Sequence, residues 1–160
     1  MRKLEKHPVK GKNSMSYWWK IKNPFSVVFN FLVIYTARFM PSLAVKRFMY
    51  RFVGMKVGKD VSVGLGVVFD VFFPELIEIG DNTIIGYNTV VIAHEYLIEE
   101  WRKGKVRIGK NVMVGANCTI LAGTEIGDNA RISAMSLVNR NVRENAFAGG
   151  IPAKEIKVTD

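Results

Sequence analysis

The chain has 160 residues, 49% of them hydrophobic, enough for one packed domain with a short extension and too apolar for wholesale disorder. Its formal charge is +9, from 23 Lys and Arg against 14 Asp and Glu. The single cysteine, Cys118, excludes an intrachain disulfide framework and fits a reducing compartment, and no signal-peptide pattern follows the basic start of the chain.

Residues 1–22 hold seven Lys or Arg against Glu5 alone, six of the nine net positive charges. A basic arm of this kind suits an anionic surface such as lipid headgroups. No nucleic-acid-binding motif accompanies the charge, so nucleic acid is not an expected partner. Asn23-Pro24 then reads as a helix cap with proline at the first helical position. A helix is expected from Phe25 to Met40, apolar almost all round, and a second from about Ser42 to Phe52, with Gly54 as its stop. The first would be about 24 Å long. That is short of the ~30 Å hydrocarbon core, and Arg38 lies inside it, so a membrane span is not expected. Residues 23–55 therefore form a helical extension with two readings. The helices pack on the domain or a neighbouring subunit, or they lie in a membrane surface with Tyr17, Trp18 and Trp19 at headgroup level. The expected location is the cytoplasm, either free or peripheral on the inner face of the membrane.

From residue 56 to the end the chain repeats. Blocks of six led by Ile108, Val114, Ile120, Ile126, Ile132 and Val138 run without a break for 36 residues. Their fifth positions, Val112, Cys118, Thr124, Ala130, Ser136 and Val142, are all small or β-branched. Val57, Val63 and Phe69, then Ile79, Ile85 and Val91, lead six earlier blocks. Each block reads as a short strand and a tight corner, with its first and fifth residues pointing into a narrow prism. The corners need positive φ, hence Gly80-Asp81-Asn82 and Gly127-Asp128-Asn129. Three blocks close one triangular coil, and coils stack about 4.8 Å apart. The expected fold is an all-β parallel β-helix of four coils behind the N-terminal helices. Sandwich strands, spaced at roughly 8–12 residues, do not match this register. Cys118 falls on an inward slot and reads as core.

The register breaks twice. Four extra residues lie between Phe69 and Ile79, around Phe73-Pro74-Glu75-Leu76, and eleven more, Glu95–Lys105, lie between Val91 and Ile108. His94 stands at the root of the longer insert. A long loop leaving a rigid scaffold is a common place for function. A zinc site is not expected, because His94 and His7 are the only histidines and no sensible ligand set can be assembled.

Residues 57–158 resemble the hexapeptide-repeat acyltransferases, the group of the maltose, galactoside and xenobiotic O-acetyltransferases. The resemblance is carried by His94 before an extended loop, by Ile108-Gly-Lys-Asn-Val-Met-Val-Gly115, and by Ala148-Gly-Gly-Ile-Pro-Ala-Lys154. It implies a left-handed coil, against the usual right-handed crossover rule. It implies an acetyl-CoA-dependent O-acetyltransferase acting on a saccharide or related hydroxyl, without a metal, and a homotrimer with CoA bound between subunits. His94 would be the general base, its second ring nitrogen held by a backbone carbonyl or a carboxylate such as the adjacent Glu95. Ala116 stands where the galactoside enzyme has an oxyanion-binding serine, which leaves a backbone N–H for that task. Gly123 and Ala134 match positions that meet pantetheine through the backbone. Asn139 and Arg140 match positions near the distal part of the cofactor, and Lys154 and Lys157 match basic residues that meet its phosphates. The same base would serve an amino-sugar N-acyltransferase. A non-catalytic β-helix scaffold needs neither the looped histidine nor the C-terminal motif.

Overall fold

A computed structural model describes residues 2–156. β1 (Glu5–Pro8) is followed by a 3-10 turn at Ser14–Tyr17 and the short helix α1 (Trp18–Ile21). α2 (Pro24–Phe39) and α3 (Leu43–Phe52) form where the capping residues predict them. The Asn23 side chain accepts from the Phe25 N–H at 2.9 Å, and the Ser42 hydroxyl accepts from the Val45 N–H at 3.4 Å. Gly54, at φ +93°, stops α3.

A parallel β-helix then winds through four coils. The first is β2 (Lys56–Val57), β3 (Ser62–Val63) and β4 (Val68–Phe69). The second is β5 (Ile77–Ile79), β6 (Ile84–Ile85) and β7 (Val90–Val91). The long insert follows as a hairpin, β8 (His94–Tyr96) and β9 (Glu100–Lys103). β10 (Val106–Ile108), β11 (Met113–Val114) and β12 (Thr119–Ile120) make the third coil. β13 (Glu125–Ile126), β14 (Arg131–Ile132) and β15 (Leu137–Val138) make the fourth. β16 (Phe147–Gly149) belongs to a partial fifth turn, and β17 (Lys154–Glu155) folds back on it antiparallel.

The strands stack into three parallel walls, β2-β5-β10-β13, β3-β6-β11-β14-β16 and β4-β7-β12-β15. The block leaders face each other down each wall, as in Val57–Ile79–Ile108–Ile126. All are buried, and so are the fifth-position residues from Val61 to Ser136. The inward threonines are satisfied. The Thr83 hydroxyl donates to the Gly109 carbonyl at 2.8 Å and accepts from the Val112 N–H at 3.1 Å. Asn82, Asn111 and Asn129 turn corners at φ +54° to +59°, and their side chains form a ladder from coil to coil. One position departs from the expected register. Val142 was placed in a fifth slot but bridges Ile126, a leading position, because the corner after Val138 is two residues short.

Hydrogen bonds between coils run both ways: corner N–H groups such as those of Asn82 and Asn111 donate back to Lys59 O and Asp81 O, and others donate forward. Gly58 N–H donates to Ile79 O, Gly80 N–H to Ile108 O and Gly109 N–H to Ile126 O, each at 2.8 Å. In the first coil the carbonyls of Val57, Val61, Val63 and Gly66 face away from the stack, with no coil before them. α2 and α3 cover this acceptor edge with cations. Arg51 donates to Val57 O and Gly58 O, both at 2.8 Å, and Arg47 to Val61 O at 3.2 Å. Lys46 donates to Val63 O at 3.1 Å and Gly64 O at 2.8 Å, and Arg38 to Gly66 O at 3.0 Å. Lys46 is buried, which pulls its ammonium pKa down, yet its hydrogen bonds end on carbonyl oxygens. Tyr50, also buried, packs edge-on against Phe69 at 4.8 Å and closes the end of the prism.

Replacing Lys46 with methionine keeps the apolar stem and strands the carbonyls. Hydrogen bonds from charged donors are worth roughly 1.5–3 kcal/mol, so Lys46→Met should lose about 2 kcal/mol in a urea melt. An unchanged midpoint would mean that the edge does not need this cation.

Candidate active site

Both register breaks fall at one corner of the triangle, between the third wall and the first. The shorter follows β4 and the longer follows β7, one coil further on. Stacking the two irregular stretches brings Asp70 to His94. The Asp70 side chain is buried at 0% exposure, and its Oδ2 lies 2.5 Å from His94 Nδ1. Oδ2 also accepts from the backbone N–H of Ala93 at 2.7 Å and of His94 at 3.0 Å. Oδ1 accepts from Phe72 and Phe73 N–H at 2.8 and 3.0 Å, a local turn that fixes the carboxylate. Burial pushes the Asp70 carboxyl up. The hydrogen bond and charge of His94, with the Phe73 and Ala93 N–H groups, outweigh it and hold the pKa below the usual carboxylate range.

An ionised Asp70 fixes the histidine tautomer. The proton sits on Nδ1, and Nε2 is left as the acceptor. The ring is walled by Phe72 and Tyr96, with centroids 4.8 Å away, and by Phe73 at 5.8 Å. The Tyr96 hydroxyl is buried without a hydrogen-bond partner among the described residues. Burial, and then the charge of Asp70, raise its pKa to about 12, so it stays a donor.

Glu95 does not hold the histidine. It forms an ion pair with Arg2, which also donates to Ala122 O at 3.3 Å. The N-terminal arm is thus a structural element. β1 pairs antiparallel with β9, giving a three-stranded sheet in the order β1-β9-β8. His7 of β1 stacks on Trp101 at 4.1 Å, and Trp101 stacks on Phe73 at 5.8 Å. The arm braces the hairpin whose first residue is His94.

A family model described as "Bacterial transferase hexapeptide (six repeats)" matches residues 105–140. The protein named "Putative acetyltransferase YvoF" of Bacillus subtilis (strain 168) is 52% identical over 157 residues, 98% of this chain and 91% of its own length. This chain belongs to the hexapeptide-repeat acetyltransferase family. The structure of galactoside acetyltransferase in complex with coenzyme A matches with a TM-score of 0.67 at 23% identity, over 84% of this chain and 80% of that one. Hexapeptide-repeat acetyltransferase VCA0836 of Vibrio cholerae O1 biovar eltor, complexed with acetyl coenzyme A, matches with a TM-score of 0.66 at 19% identity, over 83% and 86%. Likeness at these identities speaks to the fold, and it implies the left-handed coil that the family resemblance led us to expect.

In this family member the positions matched to the cofactor fall at different places. Gly123, Asn139 and Arg140 stack on the same corner as His94, between the third wall and the first. Gly123 is covered by the chain's own arm, its carbonyl accepting from Lys3 N–H at 3.0 Å. A Cβ at Gly123 would stand 2.4 Å from Lys3 O, so this position needs glycine for the arm, whatever else it contacts. The Asn139 Oδ1 is buried and unpartnered among the described residues, and Arg140 is exposed. Ala116 and Ala134 stack on another corner, between the second wall and the third, with Met135 N–H donating to Ala116 O at 2.9 Å. Lys154 is exposed on β17, and Lys157 lies outside the described residues. Among the described residues no group of three or more His, Cys, Asp or Glu is arranged to hold a metal ion.

The Asp70 pairing carries a stability signature. A carboxylate whose folded pKa is depressed stabilises fully above its unfolded value, 3.8, and loses that contribution as pH falls through the lower folded value. Asp70→Asn should cost about 2 kcal/mol near pH 7. The gap in Tm between wild type and variant should close as melts are taken down toward pH 2. A gap that stays constant across that range would show that the charge of Asp70 contributes nothing.

Proposed function

We propose that this chain transfers the acetyl group of acetyl-CoA to a hydroxyl of a saccharide or related acceptor, with His94 as general base. The observation that carries the proposal is the Asp70–His94 pair, which leaves Nε2 unprotonated at the root of the insert. Nε2 takes the acceptor hydroxyl proton as the oxygen attacks the thioester carbonyl. The tetrahedral oxyanion collapses, the C–S bond breaks, and the proton on Nε2 passes to the departing CoA thiolate. Asp70 is a positioning residue. It holds the ring and stabilises the imidazolium that forms between the two proton transfers.

The working assembly in this reading is a homotrimer. His94 and the Ala116–Ala134 corner lie on different corners of one chain, with the third wall between them. A neighbour's second-to-third corner laid against the His94 corner would supply the backbone donors for CoA and the oxyanion. Asn139, Arg140, Lys154 and Lys157 would hold the distal part and phosphates of CoA.

His94→Ala should lower kcat by about a thousand-fold or more in a CoA-release assay with acetylatable sugars. Its CoA affinity and sedimentation mass should match wild type. Full activity in that variant removes His94 as the base. Asp70→Asn should lower kcat by about a hundred-fold with KM for acetyl-CoA unchanged. A rise in KM alone would make Asp70 a binding residue and not a positioning one.

A further inference from the structure

We infer that the outer face of the α2–α3 pair docks on the surface of an anionic phospholipid bilayer. α2 buries only a narrow stripe, Val27, Asn30, Ile34 and Ala37, against the β-helix. The opposite face follows helical spacing through Phe25, Val28, Phe29, Leu32, Tyr35 and Phe39. Phe25 is 87% exposed, Leu32 58% and Phe39 62%. On α3, Phe48 and Phe52 are 67% and 63% exposed, and Phe52 meets Phe29 of α2 at 5.6 Å. The two helices thus present one continuous apolar surface, far more than the scattered exposed apolar residues of an ordinary protein surface.

The charge around this surface selects the occupant. No Asp or Glu occurs anywhere from residue 6 to residue 59, while eleven Lys and Arg do. Residues 1–59 carry thirteen cations and one acid, a net +12, whereas residues 60–160 carry ten cations and thirteen acids, a net −3. The helix cations are bonded to the carbonyl edge of the first coil. Lys10, Lys12 and Lys20 are exposed and form no ion pair among the described residues. They precede α2 together with the exposed Trp19. Unpaired lysines and a tryptophan that lead along the chain into an apolar face supply the two kinds of signal that stable interfacial binding needs. The helix is too short and the pair too amphipathic to cross, since no described helix is long and apolar enough to span a membrane. A second copy of the chain would meet this basic segment with no acids of its own on the matching surface.

Vesicle flotation of the full-length protein tests this independently of acetyl transfer. The protein should float with phosphatidylglycerol-containing vesicles, stay at the bottom with phosphatidylcholine alone, and release as salt is raised. Phe25→Ser/Leu32→Ser/Phe39→Ser should cut the bound fraction by at least about ten-fold, with unchanged circular dichroism and melting. Lys10→Glu/Lys12→Glu/Lys20→Glu, on the arm and α1, should abolish the preference for anionic vesicles. The proposal is overturned if the protein does not float, or if flotation survives the serine variant. It is equally overturned if that variant instead breaks up a discrete oligomer, which would make a second copy the occupant.

Discussion

The first coil has no coil before it, and much of the molecule answers to that. Its outward backbone groups have no ladder partner, and they include a row of carbonyl oxygens from Val57 to Gly66. An unpaired buried carbonyl costs as much as a lost hydrogen bond. Water would serve if the edge were left open, but an open parallel edge is also a template for another chain. The chain covers it with two helices and fills the acceptor row with Arg38, Lys46, Arg47 and Arg51. An acid in these helices would face the same oxygens and be repelled. The absence of Asp and Glu from the inner faces of α2 and α3 fits this edge, while their absence from the outer faces does not follow from it.

The prism imposes a second condition. Its interior admits one layer of aliphatic and small side chains, and its walls are strands of two or three residues. Chemistry has no room inside and little hold on a flat wall. It collects where the register fails, and here two failures stack at one corner. Either break alone would leave an unsupported loop. Together they put a buried carboxylate under an imidazole, with four backbone N–H groups holding the carboxylate.

The sequence made some of this legible and hid the rest, for physical reasons. The walls could be counted because a six-residue register is a local property. Ile79, Ile108 and Ile126 sit opposite each other as their spacing requires. The helices could be placed from Asn23-Pro24, Ser42 and Gly54, whose capping chemistry is also local. His94 stood out because a register break is visible without a structure. Asp70 did not, because its partner is 24 residues away and its own stretch has no period. Glu95 was the nearer carboxylate in sequence, but consecutive residues of β8 point to opposite sides, and Glu95 turned to Arg2. The arm misled in another way. Its residues show only as a run of charge, whereas Glu5–Pro8 is a strand whose pairing with β9 no local propensity announces.

The cap reaches the site through Asn30. Asn30, on the buried stripe of α2, donates to Val71 O at 2.9 Å, one residue past Asp70. Trp18 of α1 meets Phe72 edge-on at 6.1 Å, and Lys22 reaches Glu75 in the same irregular stretch. From the other side, β1 holds β9, and β9 holds β8 and His94. The N-terminal third of the chain therefore braces both members of the pair, the carboxylate through α2 and the imidazole through the arm. A helical pair that only covered an edge would have no reason to grip the Asp70 turn. Because it does, a shift of α2 would carry to the Asp70 turn and so to the frame in which Asp70 meets His94.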